Sequence, residues 1–227
     1  MSAPNENWYR DCMIEHHLSV RRTARYFTLG PAAAIAREVW FVLHGYGQLA
    51  ARFLRHFAPL DDGARCIVAP EGLSRFYAET GRNDKIGASW MTREDRLSEI
   101  DDYIRYLDAL YDEVKRGASA AVRVTVLGFS QGTATAARWL AQGNARAGRL
   151  ILWGGEVPPD LDLVVARERW QKMDLTLVVG SEDPFITSKV LARDEQRLRE
   201  HGITFRVERF DGGHEILPDV LGRVVAQ

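Results

Sequence analysis

The sequence predicts an α/β fold with a mostly parallel sheet and helices on both of its faces. Short runs of β-branched and aromatic residues alternate along the chain with segments of helical periodicity, which is the order that builds such a sheet. The chain has 227 residues, of which 46% are hydrophobic and 27% are charged, enough for one sizeable core. The sequence contains no repeat, low-complexity stretch or linker, so residues 1–227 are expected to form a single domain.

The first predicted elements are an edge hairpin and the beginning of the parallel sheet. Strands are expected at 12–18 and 24–29, and they would pair with each other at one edge. A buried strand at 38–43 follows, and its Val and aromatic residues favour an extended backbone. A helix at 49–57 then leads to a second buried strand at 65–69.

The middle of the chain contains the most clearly signalled helix, at 93–114. Its apolar residues keep helical spacing on one face. Thr92, with Asp95 three residues later, is expected to form a capping box at its start. A β-branched strand at 122–127 and an alanine-rich helix at 131–141 come next.

The last part of the chain continues the alternation. Strands are expected at 150–153, 175–179 and 204–210, and helices at 187–201 and 215–225. Because the strands alternate with helices, these elements extend the same parallel sheet.

The run from Val126 to Gly132 contains the most informative motif, a strand followed by Gly-x-Ser-x-Gly and a helix. This layout is typical of a nucleophile elbow, a sharp turn that raises a serine hydroxyl above the sheet. Gly128 and Gly132 provide the room that a close backbone approach requires. The motif alone is weak, and an ordinary turn with an incidental serine is the alternative. The strand before Ser130 and the helix after it favour the elbow.

A serine nucleophile needs a base, and the base needs an orienting acid. In this arrangement the chain order is serine, acid, histidine. Only His214 stands in a glycine-rich turn after a late strand, so it is the candidate base. The other five histidines fall in the predicted edge strand, a loop, a solvated helix face or a helix end: His16, His17, His44, His56 and His201.

The candidate acid is Asp183, which follows the strand at 175–179 and precedes a proline that restricts it to extended geometry. Glu182 is one residue away and stays open as the alternative, as does a plain Asp-Pro turn. Asp211 is too close in sequence to the base, and Asp194 lies in mid-helix. Because the carboxyl ends of parallel strands meet at one edge of the sheet, serine, acid and histidine can converge there.

An oxyanion hole needs one backbone N–H after the nucleophile and another from the loop after the strand at 38–43. Gln131 supplies the first. In the loop of residues 44–48, two glycines allow a tight fold, and the Tyr46 N–H is the expected second donor. The His44 side chain is expected to stabilise this loop rather than take part in the chemistry.

Four stretches together resemble the α/β-hydrolase superfamily, and more narrowly the phospholipase/carboxylesterase family, which includes the acyl-protein thioesterases. In chain order they are Leu43–Gly47 (LHGYG), Gly128–Gly132 (GFSQG), Gly180–Pro184 (GSEDP) and Gly212–Ile216 (GGHEI). The resemblance implies the α/β-hydrolase fold and serine esterase or thioesterase activity without a cofactor. Two residues depart from the family pattern and bear on substrate range: Gln48, where Asp is frequent, and Thr133, where a third glycine is usual.

Two segments without clear periodicity, 71–91 and 154–170, leave the carboxyl edge of the predicted sheet and can border the site. Neither is long enough for a large cap domain. Side chains in or next to them are candidate walls of an acyl pocket, although each could equally pack its loop onto the sheet. These candidates are Phe76, Tyr77, Trp90, Met91 and Trp153.

These features predict a serine hydrolase of carboxylic esters with short to medium acyl chains. Ser130 would attack, His214 would move the proton, and Asp183 would orient His214. A lysophospholipase or acyl-protein thioesterase acting on long acyl chains is the alternative. A catalytically silent scaffold or ligand receptor is the non-enzyme alternative, because fold alone proves no activity. No set of residues has a recognisable metal-ligand spacing, so no metal is expected.

Charge and cysteine content restrict the partners and the location. Thirty Lys and Arg against 31 Asp and Glu leave a net charge of −1, which gives no basic field for nucleic acid. No apolar run reaches spanning length, so membrane insertion is not expected, nor does the N-terminus resemble a signal peptide. Cys12 and Cys66 are expected to be buried reduced thiols, and this state favours a cytoplasmic location. A disulfide between them is the alternative. The oligomeric state stays open.

Overall fold

The computed structural model describes residues 13–79 and 82–227. Within them, seven strands form one sheet in the order β1-β3-β2-β6-β7-β8-β9, and two further strands form a separate hairpin. The strands are β1 Tyr26–Leu29, β2 Glu38–Leu43, β3 Arg65–Pro70, β4 Ser74–Glu79, β5 Arg82–Ser89, β6 Arg123–Phe129, β7 Arg149–Trp153, β8 Asp174–Gly180 and β9 Arg206–Phe210. Every pair in the large sheet is parallel except β1 with β3. The mostly parallel sheet is therefore confirmed.

Helices cover both faces of this sheet. They are α1 Ala50–Phe53, continued by a 3₁₀ helix Leu54–Leu60, then α2 Arg96–Gly117, α3 Gln131–Gln142, α4 Leu163–Trp170, α5 Ser188–Glu200 and α6 Pro218–Ala226. In β2, Val39, Phe41 and Leu43 join the core under α2, α3, α4 and α5. Trp40 and Val42 join the core under α1 and α6. The alternation of side chains along a strand thus supplies two cores from one sheet.

The predicted N-terminal hairpin is wrong. Residues 13–18 form no strand and are exposed, while Cys12 lies outside the described residues. β1 instead pairs antiparallel with β3, with Tyr26 opposite Pro70 and Leu29 opposite Ile67. The alternating pattern of residues 13–18 resembled a strand, but an apolar side chain such as Leu18, which is 87% exposed, has no core to face.

The predicted capping box is also wrong. Helix α2 begins at Arg96, and Asp95 before it has a left-handed φ of 46° and makes no side-chain cap. Thr92 lies outside the helix, where its N–H donates to Glu99 Oε2 at 2.5 Å and its hydroxyl donates to Glu94 O at 3.1 Å. The Thr92 pattern therefore belongs to the turn before the helix.

The two segments without periodicity have their own secondary structure. Residues 71–91 contain the hairpin of β4 and β5, which the sequence did not predict because its strands mix charged and apolar residues without regular alternation. Residues 154–170 contain α4, whose first turn is capped by the Asp162 carboxylate accepting from the Val164 and Val165 N–H groups. Neither segment forms a large cap domain. Among the described helices, none combines the length and apolar character that a membrane span requires.

Candidate active site

Ser130 lies at the turn between β6 and α3, and its backbone is strained. Its φ of 54° and ψ of −118° are rare for a residue with a side chain. A Cβ on Gly128 would lie 2.2 Å from Gly132 O, and a Cβ on Gly132 would lie 2.2 Å from Leu43 O. Only glycine permits these contacts. The Ser130 N–H donates to Trp153 O at 2.9 Å, which ties the turn to the end of β7.

His214 and Asp183 are in direct contact at the same edge of the sheet. His214 Nδ1 lies 2.8 Å from Asp183 Oδ2. The other carboxylate oxygen, Oδ1, accepts the N–H groups of Phe185 at 2.8 Å and Ile186 at 3.0 Å. The Asp183 side chain is 1% exposed, so these hydrogen bonds fix it in one orientation. Glu182, the alternative acid, is exposed.

The residue after β7 packs against the pair formed by His214 and Asp183. Gly154 follows the strand directly, with a φ of 58°, and a Cβ there would lie 3.3 Å from His214 Nδ1 and 3.4 Å from Asp183 Oδ2. The His214 ring also contacts the ring of Phe129, the residue before Ser130, with centroids 4.9 Å apart. The ends of β6, β7, β8 and β9 thus bring Ser130, Asp183 and His214 to one edge.

Two backbone N–H groups beside Ser130 are free to donate. Gln131 is the first residue of α3, where an N–H has no partner within the helix. Neither its N–H nor that of Tyr46 makes a hydrogen bond within residues 13–79 and 82–227. A Cβ on Gly45 would lie 3.0 Å from Ser130 Cβ, so the loop carrying Tyr46 passes close to the serine.

Three other N–H groups of the 44–48 loop are occupied. The Gly45 N–H donates to Gln48 Oε1 at 2.8 Å, and the Gln48 N–H donates to Gly45 O at 3.2 Å. The Gly47 N–H donates to Ala88 O at 2.9 Å, which joins the loop to β5. The hairpin therefore supports this loop around the unpaired Tyr46 N–H.

His44 holds this loop from within the core. Its Nε2 accepts the Gly72 N–H at 3.0 Å, so the proton is on Nδ1, which donates to Gly45 O at 2.8 Å. Because Gly45 C=O and Tyr46 N–H belong to one trans peptide, they point in opposite directions. The His44 contact therefore sets the direction of the Tyr46 N–H. Burial lowers the pKa of His44, which is fully buried, and keeps the ring neutral.

A buried carboxylate that the sequence analysis missed lies behind the same loop. Glu71 is 1% exposed and accepts from Arg25 Nε at 2.6 Å, Arg75 at 3.3 Å and the Ala50 N–H at 3.3 Å. Burial alone would raise the pKa of Glu71, but the hydrogen bonds from Arg25 and Arg75 outweigh it and lower the pKa. Glu71 directly precedes Gly72, the partner of His44. Its position just after a buried strand was the available signal.

The Gln131 side chain connects α3 to the end of β5. Its Oε1 accepts the Trp90 N–H at 3.0 Å, and its Nε2 donates to Met91 O at 2.7 Å and to Ser89 Oγ at 3.2 Å. Gln131 therefore has a second role that the motif did not predict. It fixes the segment that follows the hairpin.

The structure places two of the five candidate pocket residues in the core. Trp90 is 2% exposed and its Nε1 donates to His44 O at 2.8 Å, while Trp153 is 1% exposed and its Nε1 donates to Glu215 O at 2.9 Å. These indoles support the loops and do not form an open wall, because their N–H groups find partners only inward. Phe76 is half-buried and stacks on the exposed Tyr46 ring at 5.2 Å.

The other pocket candidates differ in exposure. Met91 is half-buried, with its Sδ 3.7 Å from a guanidinium nitrogen of Arg138, and Tyr77 is 61% exposed. Thr133 fills the space of the usual glycine, and its hydroxyl donates to Gly128 O at 3.1 Å. A Cβ on Gly155 would lie 2.5 Å from Thr133 Oγ1, so the absence of a side chain at Gly155 leaves room for the Thr133 hydroxyl.

One group of side chains in the described part of the chain could share a metal ion. It comprises Glu15, His17 and Asp95, all of them exposed. Ser130, Asp183 and His214 do not belong to it. Serine, histidine and carboxylate at one sheet edge are residue types that nucleophilic hydrolysis uses.

Comparisons with known proteins identify the family and the fold of this chain. A family model described as Phospholipase/Carboxylesterase matches residues 32–226. Among curated protein sequences, none matches this chain. Similar solved structures include "esterase PE8", at 22% identity and a TM-score of 0.67, covering 90% of this chain and 97% of that one. Acyl-protein thioesterase 2 of Zea mays has 17% identity and a TM-score of 0.69, and the match covers 90% of this chain and 97% of that one. A phospholipase/carboxylesterase from Dyadobacter fermentans has 18% identity and a TM-score of 0.64, and the match covers 92% of this chain and 98% of that one.

We expect the His44 ring to keep its proton on Nδ1 and to titrate below the pH range of an ordinary histidine. In the unfolded chain a histidine takes up a proton near pH 6.5, whereas burial lowers the pKa of His44 in the folded chain. The contribution of neutral His44 to the free energy of unfolding is therefore complete above about pH 6.5. It is lost as the pH falls from there toward the pKa of His44 in the folded chain. Imidazole ¹⁵N NMR, with the signal assigned by a His44→Gln variant, measures this. A native-state titration of His44 near pH 6.5 would contradict it.

Proposed function

The chain belongs to the phospholipase/carboxylesterase family and is a hydrolase of the carboxylesterase type, and from this premise we propose that Ser130, His214 and Asp183 form its catalytic triad. The observation that carries the proposal is the 2.8 Å contact between His214 Nδ1 and Asp183 Oδ2 at the edge where the strained Ser130 lies. The proposed reaction is hydrolysis of carboxylic esters with short to medium acyl chains.

In the first step Ser130 Oγ attacks the acyl carbon and His214 Nε2 takes the hydroxyl proton. The contact with Asp183 keeps the other proton on His214 Nδ1, which leaves Nε2 free to act as a base. The buried carboxylate then stabilises the imidazolium that forms. Two backbone N–H groups already fix Asp183, so little reorganisation accompanies the charge transfer.

The negative charge that develops on the substrate oxygen is stabilised by the Tyr46 and Gln131 N–H groups. Both donors are unpaired in the free protein, so no protein hydrogen bond has to break when the oxyanion forms. His44 keeps the Tyr46 N–H in place, and the neutral state of its ring preserves both of its contacts.

In the remaining steps His214 gives its proton to the leaving alcohol, and an acyl-enzyme remains on Ser130. Water then attacks the acyl carbon while His214 takes a proton from it, and the acid leaves as Ser130 regains its own. The same groups can serve a thioester, in which the leaving group is a thiol. The proposal covers both classes and favours oxygen esters.

The preference for short to medium acyl chains is supported by the burial of two candidate pocket residues. Trp90 and Trp153, which could have formed walls of a deeper pocket, are buried. Long-chain activity as a lysophospholipase or acyl-protein thioesterase is the alternative.

We also propose that residues 1–227 act as one domain in the cytoplasm. Helices on both faces of a single sheet support one domain. Burial raises the pKa of the Cys66 thiol, which keeps it protonated and unreactive, in line with a reduced compartment.

Ser130→Ala is expected to lower kcat by several orders of magnitude without unfolding the protein, because the members of a triad act as one unit. Asp183→Asn is expected to cost on the order of 10⁴ in kcat, because the His214 tautomer would be wrong. Glu182→Gln is the matched control on the neighbouring carboxylate and should cost far less. Steady-state hydrolysis of p-nitrophenyl acetate, with circular dichroism for folding, measures all three. More than about a tenth of the activity in Ser130→Ala, or a larger loss for Glu182 than for Asp183, would contradict the assignment.

Specificity should rise with acyl length and then stop at short or medium chains. Each buried methylene adds about 0.8 kcal/mol until the space is filled. The measurement is kcat/KM for p-nitrophenyl esters from acetate to palmitate, beside acyl thioesters of the same lengths. A rise that continues to palmitate would support the long-chain alternative.

Two substitutions of His44 should each keep one of its two hydrogen bonds, so that the effect of each bond on kcat can be measured. Asn can place a donor near the position of Nδ1 and keep the contact with Gly45 O, whereas Gln can place an acceptor near that of Nε2 and keep the contact with the Gly72 N–H. We expect kcat for p-nitrophenyl acetate to be higher in His44→Asn than in His44→Gln, with similar urea midpoints. Equal kcat values in equally stable variants would show that the Gly45 contact does not set the oxyanion donor.

A further inference from the structure

We propose that the cavity beside the 44–48 loop is a subsite for a carboxylate group carried by the ester substrate. This proposal rests on the proposed function and narrows its substrate class. The cavity, of about 210 Å³, is lined by Gly47, Gln48, Leu49, Arg52, Phe53 and His56. None of these residues is acidic, and each of the three polar side chains among them can donate a hydrogen bond.

One residue that lines the cavity, Gln48, lies near Ser130. A Cβ added to Gly45 would lie 3.0 Å from Ser130 Cβ and 3.3 Å from Gln48 Oε1. The Ser130 and Gln48 side chains therefore lie on either side of Gly45. The Phe53 ring on the cavity wall stacks on the Phe129 ring at 6.0 Å. A substituent a few bonds from the scissile carbonyl could therefore reach it.

Gln48 presents a donor on this wall. Its Oε1 accepts the Gly45 N–H, which identifies the oxygen and leaves Nε2 with two hydrogens. Nε2 makes no hydrogen bond within the described residues. An aspartate here would place a negative charge on the cavity wall and would repel an anion, whereas the amide attracts one.

Arg52 supplies the positive charge. Its exposed guanidinium forms no ion pair or hydrogen bond within the described part of the chain, whereas Arg65, Arg123 and Arg193 each contact a carboxylate. An unpaired guanidinium matches the two oxygens of a carboxylate in a bidentate pair.

Two pairs of esters test the subsite, with the charge on either side of the scissile bond. On the acyl side, mono-p-nitrophenyl glutarate is compared with p-nitrophenyl pentanoate. On the alcohol side, 4-acetoxybenzoate is compared with its methyl ester. The readout is the ratio of kcat/KM for the anionic ester to that for the neutral one, measured in the wild type and in variants of Arg52. Arg55→Gln is the matched control, because it removes the same charge from an exposed side chain that does not line the cavity.

In at least one pair, Arg52→Gln should lower the ratio about tenfold or more, since hydrogen bonds to charged groups are the strong ones. Arg52→Lys should retain part of the ratio, because it keeps the charge and loses the bidentate geometry. Arg55→Gln should leave the ratio within about twofold, as expected for a screened surface charge. An unchanged ratio in Arg52→Gln, or an equal fall in Arg55→Gln, would overturn the subsite while leaving the esterase intact. A wild type that hydrolyses none of the four esters would overturn the proposed function itself.

Discussion

The close approach of backbone segments at the Ser130 turn is the constraint on which the rest of the site depends. Gly128 and Gly132 let β6 and α3 pass within contact of each other, and Gly132 also brings the carbonyl end of β2 against the helix start. Ser130 keeps its rare backbone angles because these packed segments leave no alternative. The turn thereby places a hydroxyl and an unpaired helix N–H next to each other.

A second set of contacts holds the groups around this turn. The peptide between Gly45 and Tyr46 is oriented by a buried neutral His44, which in turn is held through Gly72 beside the buried Glu71. These residues contact the loop rather than the expected position of the substrate. Their burial costs desolvation, which their hydrogen bonds offset, and the result is a Tyr46 N–H with a fixed direction.

The positions of the candidate site residues were predictable from the sequence because they follow local rules. Strand, glycine, serine and helix occur in an order that places Ser130, Asp183 and His214 at the ends of parallel strands. The family match and the sheet confirm the expected fold. The role of Trp90 was not predictable, because an aromatic residue near a site packs inward or outward according to partners distant in sequence, here the carbonyl of His44. The hairpin was missed for a similar reason, since its strands are stabilised by each other and by the 44–48 loop.

Labelling with a fluorophosphonate, followed by mass spectrometry of the resulting peptides, tests the central claim most directly. The reagent reacts with a serine only where a base and an oxyanion hole activate it. We predict a single adduct on Ser130, with none on the exposed Ser181 at the same sheet edge. A protein that stays unlabelled, or an adduct on another serine, would contradict the assignment of Ser130, His214 and Asp183 as the catalytic groups.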